Sequence, residues 1–168
     1  MSLADEQQSD PREVGRLIAL RQLEVKPRTE RELHATLCSR GIPDDVADAI
    51  VARFVEVGLL DDLAYARLWV ESRVRSRGLG VAALRRELRT HKVPEPIIDE
   101  VLSDIDAQDC LTAAVDHVRG RVARCALPLS VKDERRLIAF LMRRGHDYDT
   151  AHRALGVAVD EVSDAASP

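Results

Sequence analysis

Apolar residues recur along the chain at three- and four-residue steps, in short runs that glycine, proline and capping residues interrupt. Leu33 and Leu37 form one such step. Thr29-Glu30-Arg31-Glu32 before them fits a capping box, in which the hydroxyl and the carboxylate satisfy free amides of a first helical turn. Gly41 stands where a left-handed residue ends that helix. Pro43, with Asp44 and Asp45, suits the start of the next, whose stripe is Val46, Ile50, Phe54 and Val57 before Gly58 stops it.

The same punctuation continues. Asp61-Asp62 opens a stripe of Leu63, Ala66, Val70 and Val74, closed by Gly78 and Gly80. Leu84 and Leu88 follow, then Ile97, Val101 and Ile105 after Pro94. A longer helix is predicted from about Gln108 to Arg124, with Leu111, Val115, Val118 and Val122 inward. Asp133 to Arg144 and Tyr148 to about Gly156 make the last two helices. The acidic, small-residue-rich stretch 157–168 reads as a frayed tail. Nine helices with short links result, and no strand pattern survives.

The stripes repeat. Leu33-x-x-x-Leu37-x-x-x-Gly41-Ile42-Pro43-x-x-Val46-x-x-x-Ile50 aligns with Leu84-x-x-x-Leu88-x-x-x-Lys92-Val93-Pro94-x-x-Ile97-x-x-x-Val101. A weaker third copy is Leu137-x-x-x-Leu141-x-x-x-Gly145-His146. A longer helix precedes each pair, and one unit alone cannot bury its apolar face. The expected fold is all-α: three tandem three-helix repeats, residues 11–58, 59–106 and 107–156, stacked as a curved, solenoid-like array. Residues 1–10 and 157–168 are expected to be flexible ends. Lys92 replaces the glycine of the other two turns, so that turn is expected to differ. His146 and Asp147 depart from the pattern in the third copy, which is expected to pack less firmly.

Composition narrows the function classes. Aromatic residues are only 3% of the 168, so the core must rest on aliphatic side chains. No apolar run approaches the roughly 18 residues of a membrane span. The first ten residues lack the basic start and apolar stretch of a secretion signal, and the expected location is the cytoplasm. Cys38, Cys110 and Cys125 are far apart and odd in number; they read as small buried thiols, without a metal or disulfide framework. The five histidines have no metal-binding spacing with them, and His34 and His91 are expected to be solvated. No P-loop is present, no cofactor is expected, and nothing resembles a catalytic constellation.

Charge is the better lead. Although the net charge is −4, residues 67–92 hold eight basic against two acidic side chains, while 41–62 hold six acidic against one basic. Arg73, Arg75, Arg77, Arg85, Arg86 and Arg89 crowd the middle of the chain. Arg119, Arg121 and Arg124 form a further group; Arg135, Arg136, Arg143 and Arg144 form another. Arginine forks bind phosphates and carboxylates, so such clusters suit a nucleic-acid backbone or an acidic protein surface.

The segment Gly58-Leu59-Leu60-Asp61-Asp62-Leu63-Ala64-Tyr65-Ala66-Arg67-Leu68-Trp69-Val70-Glu71-Ser72-Arg73 resembles the central signature of the RecX family of bacterial regulatory proteins. The stretch from Arg28 to Ile42, the Gly80, Leu84 and Leu88 spacing, and Phe140-Leu141-Met142-Arg143-Arg144-Gly145-His146 are similar to other segments of that family. The resemblance runs from about Val14 to Leu155. It implies a curved array of three-helix repeats that lodges in the RecA filament, contacts RecA and DNA, and restrains strand exchange, ATP hydrolysis and co-protease action in DNA repair and the SOS response. On that reading Arg73, Arg75, Arg77, Arg85, Arg86, Arg89, Arg143 and Arg144 are the partner-binding candidates. Asp61 and Asp62 read as caps, and Tyr65 and Trp69 as packing residues. A monomer is expected, since a repeat array needs no partner to fold. The alternatives are a DNA-binding protein acting alone, through a helix–turn–helix-like pair on single- or double-stranded DNA, and, behind it, a hydrolase with an unrecognised site.

Overall fold

Nine α-helices and their short links make up residues 10–166, the part described by the computed structural model. They are α1 (Pro11–Val25), α2 (Glu30–Ser39), α3 (Asp44–Glu56), α4 (Asp62–Arg77), α5 (Val81–Thr90), α6 (Glu95–Ser103), α7 (Ala107–Val122), α8 (Val131–Arg143) and α9 (Tyr148–Ala166). Among the described residues there is no strand, and no helix is long and apolar enough to cross a membrane. The expected flexible N-terminus lies outside the described residues, except for Asp10. Its carboxylate accepts the Arg12 N–H and caps α1, and Pro11 takes the first helical position.

The chain divides into two compact units. The first holds the residues up to Tyr65 together with His91–Val93. Its core is built by Ala19 of α1, Leu33 and Leu37 of α2, Ala47, Ile50, Val51 and Phe54 of α3, and Ile42 and Leu60 of the links. Leu33 and Leu37 are fully enclosed, and burying each contributes about 2 kcal/mol. Val57 does not continue the α3 stripe: it is 48% exposed, because the helix ends at Glu56 and Gly58 turns the chain away. Ala47 and Val51 face the core in its place.

The second unit holds Ala66–Thr90 and the chain from Pro94 onward. Leu111, Ala114, Val115, Val118 and Val122 of α7 meet Leu137, Ile138 and Leu141 of α8 and Ala151, Ala154, Leu155 and Ala158 of α9. The alanines of α9 present no bulk and let its axis approach closely. α9 does not end near Gly156, and 157–166 is no frayed tail. The helix runs to Ala166, held by buried Ala158 and by Val159 and Val162 against the same core.

The turns explain the departures within the repeat. After α2, Gly41 (φ +84°) is left-handed and Ile42 N–H donates to the Leu37 carbonyl. After α8, Gly145 (φ +91°) and His146 repeat this geometry, His146 N–H donating to Leu141. After α5, Lys92 keeps the left-handed conformation (φ +59°) despite its side chain, so the turn does not change hand. Ile42, Val93 and His146 hold equivalent positions and all three are buried. His146 is no loose substitute, since its Nε2 bonds the Gly78 carbonyl at 2.9 Å. Asp147 replaces the proline that starts α3 and α6 in the other copies. It caps α9 by accepting the Thr150 N–H at 2.7 Å, the bond that chiefly lowers its pKa.

Candidate interaction surface

The signature segment is largely structural. Asp61 caps α4, its Oδ1 accepting the Ala64 N–H at 2.8 Å. Asp62 does not share that task. It is only 3% exposed, and its Oδ1 accepts the Glu30 N–H at 2.9 Å, capping α2 instead. Tyr65 is buried against the ring of His91, whose Nδ1 lies 2.8 Å from Glu32. His91 is therefore not the solvated side chain its charged neighbours suggest. In the second unit, Trp69 Nε1 donates to Glu87 at 3.0 Å, and the Arg73 guanidinium lies 3.9 Å over the Trp69 ring while its Nε bonds the same carboxylate.

The eight candidate arginines separate into sets with different electrostatics. Arg73 and Arg77 converge on Glu87, and Arg75 pairs with Glu71 one turn away. Arg85 bonds Glu95 and Asp99, and Arg89 also bonds Glu95. Their charge is largely balanced in place. Folding offsets part of the surplus counted along residues 67–92, because Glu95 and Asp99 come from the next helix. Among the described residues, Arg86 and Arg143 have no ion-pair partner. Arg144 donates to the Arg77 carbonyl, and its pKa is lowered first by burial and then by the cations of Arg121 and Arg77.

Arg143 belongs to a concavity of about 370 Å³ that also takes in Arg121, Arg124, Arg136, Phe140 and Cys125. The Arg121 guanidinium sits 3.9 Å over the Phe140 ring and Arg144 lies 5.1 Å from it. Arg124 is held by the Gly120 carbonyl. Among the described residues, Arg136 is the one of these arginines that meets a carboxylate, Asp133 at 3.0 Å. Unbalanced forks around a half-buried ring make this the more electropositive site among the candidates. It draws on both later arginine groups, from the end of α7 and from α8. The signal was the spacing of Arg136, Phe140 and Arg143, which share one helical face.

A second hollow, about 690 Å³, is lined by Arg85, Arg86, Arg89, Cys110 and His146, and a third, about 710 Å³, is rich in acids, including Asp104, Asp106, Asp109 and Asp116. Cys110 is buried, as expected, but Cys38 and Cys125 are half-buried. His34 is also not simply solvated: with Cys38 and Asp44 it forms a group whose ligand atoms lie close enough to hold a metal ion. Sequence spacing missed that group because Asp44 comes from the following helix.

The chain as a whole is similar to known proteins. The family model of the first three-helix domain of RecX matches residues 16–54, and that of the second matches residues 61–102. The regulatory protein RecX of Streptomyces coelicolor is 40% identical over 152 residues, spanning 90% of this chain and 81% of that protein. That of Mycolicibacterium smegmatis is 38% identical over 159 residues, spanning 90% and 85%. The crystal structure of RecX from Lactobacillus salivarius superposes with a TM-score of 0.77 at 18% identity, over 92% of this chain and 98% of that one, a likeness of fold.

Proposed function

The chain belongs to the RecX family of regulatory proteins, and on that footing we propose that it binds the RecA nucleoprotein filament and restrains RecA's strand exchange, ATP hydrolysis and co-protease action. It acts in the cytoplasm as a binding protein rather than an enzyme, serving DNA repair and the SOS response without a cofactor. The observation that carries this reading is the match at 40% identity across nine-tenths of the chain.

The arginine surface supports it in physical terms. A nucleoprotein filament offers phosphates and protein carboxylates, and unbalanced guanidinium forks bind both. Arg86, Arg121, Arg124 and Arg143 are the cations best placed to gain on contact, since among the described residues they have no carboxylate partner to lose. Arg73, Arg75, Arg77, Arg85 and Arg89 already have one, so contact through them must exchange an existing ion pair.

The test adds the protein, substoichiometrically, to RecA on single-stranded DNA with ATP. ATP hydrolysis should fall and filaments shorten, measured by coupled assay and electron microscopy. Unchanged hydrolysis and filament length would overturn the reading. Tight, sequence-specific binding to duplex DNA without RecA, in gel shifts across a salt series, would favour a DNA-binding protein acting alone.

A further inference from the structure

Two pairs of side chains, each spaced i,i+4, face one another across the Gly41 turn of the first unit. α2 supplies His34 and Cys38, and α3 supplies Asp44 and Asp48. His34 Nε2 lies 3.5 Å from Asp44 Oδ1 and 3.0 Å from Asp48 Oδ1. Cys38 Sγ lies 3.5 Å from the same Asp44 oxygen and 3.9 Å from Nε2. Zinc bonds to nitrogen, sulfur and oxygen of about 2.0–2.3 Å give a tetrahedron with edges of roughly 3.3–3.5 Å. The donors of His34, Cys38 and Asp44 already stand near those separations, on two helices whose connection is fixed by a left-handed glycine, and Asp48, which touches only His34 among them, reaches the fourth corner by rotation of its exposed side chain.

We propose that His34, Cys38, Asp44 and Asp48 form a zinc site. Imidazole and thiolate are borderline-soft ligands that favour zinc over magnesium or calcium, and the carboxylates complete the charge. His34 and Cys38 are half-buried and the aspartates exposed, so the ion enters from solvent. Without metal, burial first and the Asp44 hydrogen bond second push the Cys38 thiol up, keeping its proton. Zinc displaces that proton to solvent and takes the sulfur as thiolate. The bound ion ties α2 to α3 across the turn, a staple for the first unit that is separate from the arginine surface.

Cobalt(II) serves as a spectroscopic stand-in, using full-length, tag-free protein stripped with chelator. One equivalent should give tetrahedral visible bands and a thiolate-to-cobalt charge-transfer band, both bleached by zinc. Zinc alone should raise the melting temperature. Cys38→Ser should abolish the charge-transfer band and, with His34→Ala, weaken zinc binding roughly tenfold or more. The double variant Cys110→Ser, Cys125→Ser keeps Cys38 as the one thiol and should retain the full spectrum, a readout independent of how Cys38→Ser folds. Absence of the tetrahedral bands in the wild type, or their loss in the double variant, would overturn the site.

Discussion

The carboxylate of Asp62 reaches out of the first turn of α4 to hold the amide of Glu30, at 2.9 Å, at the start of α2. One residue earlier, Asp61 does the local capping. Adjacent aspartates of identical chemistry thus terminate two different helices, and burial separates them.

That burial raises the Asp62 pKa, the Glu30 N–H opposing it and Asp61 adding repulsion. A raised carboxyl contributes stability in full below its unfolded value, and loses it as pH rises through the folded value. Asp62→Asn keeps an acceptor without the charge. It should equal or exceed the wild type in thermal melts at neutral pH, with the gap closing as pH drops below the ordinary carboxylate range. Asp62→Ala, which strips the cap, should lose about 1 kcal/mol. An asparagine variant weaker than the alanine one would contradict the assignment.

Lys92 adopts a left-handed backbone that costs an L-residue about 1–2 kcal/mol. Lys92→Gly should raise the urea midpoint, by a net gain of about 1 kcal/mol once the greater freedom of unfolded glycine is deducted. A lower midpoint would mean that the lysine side chain contributes more than its backbone loses.

Gly80 and Gly145 bring two turns into backbone contact within the second unit: Gly80 N–H donates to Arg144 at 2.9 Å, and Ala82 N–H to Gly145 at 3.2 Å. A β-carbon on Gly80 would collide with the Gly145 carbonyl, whereas one on Gly120 in α7 would meet open space. Gly80→Ala should destabilise by about 1–3 kcal/mol or more. Gly120→Ala should stabilise by up to about 1 kcal/mol. Chemical denaturation of the pair checks both signs at once.

His146 responds to acid in the direction opposite to Asp62. Burial lowers its pKa from the ordinary 6.5, although the Gly78 carbonyl and Asp147 pull the other way. The folded protein prefers the neutral ring. Its contribution is therefore complete above the unfolded value and is lost as pH falls toward the folded one. The urea midpoint should drop between about pH 7.5 and about pH 5.5, and that slope should flatten in His146→Gln. An equal slope in the variant would place the acid sensitivity elsewhere.

The arginines divide by their partners. Reversing Arg124 and Arg143 together, to Glu, should raise the protein concentration that half-inhibits RecA's ATP hydrolysis by roughly tenfold or more, with an unchanged melt. Arg85→Ala breaks pairs to Glu95 and Asp99 and should cost at most about 1 kcal/mol of stability. Its effect on inhibition should be the smaller of the two. The reverse order would move the contact to α5.

What was legible in the sequence was local. The Thr29–Glu32 capping box, the Gly41 turn and the α7 stripe need only a few consecutive residues, and each formed where its spacing placed it. Relations set by packing were hidden. The Asp62 carboxylate looks like any helix-opening acid until α2 is beside it. The surplus around Arg85 is partly offset only when Glu95 and Asp99 fold against it. The end of α9 was readable, since Ala151, Leu155, Ala158 and Val162 continue one helical face, but the acidic, small-residue composition masked that period.

Thr29 is fully enclosed, and while its hydroxyl accepts the Glu32 N–H it donates to the carbonyl of His91 at 2.7 Å. Together with the Tyr65–His91 contact, that bond makes the repeats serial in the gene but interleaved in space. A fragment cut at Gly58, the natural seam of the sequence pattern, would carry three whole helices yet lack Asp62, Tyr65 and His91. The amide of Glu30 and the hydroxyl proton of Thr29 would each lose its native acceptor. The spacing of apolar residues repeats after Gly58, but the contacts that close the first unit draw on residues beyond that seam.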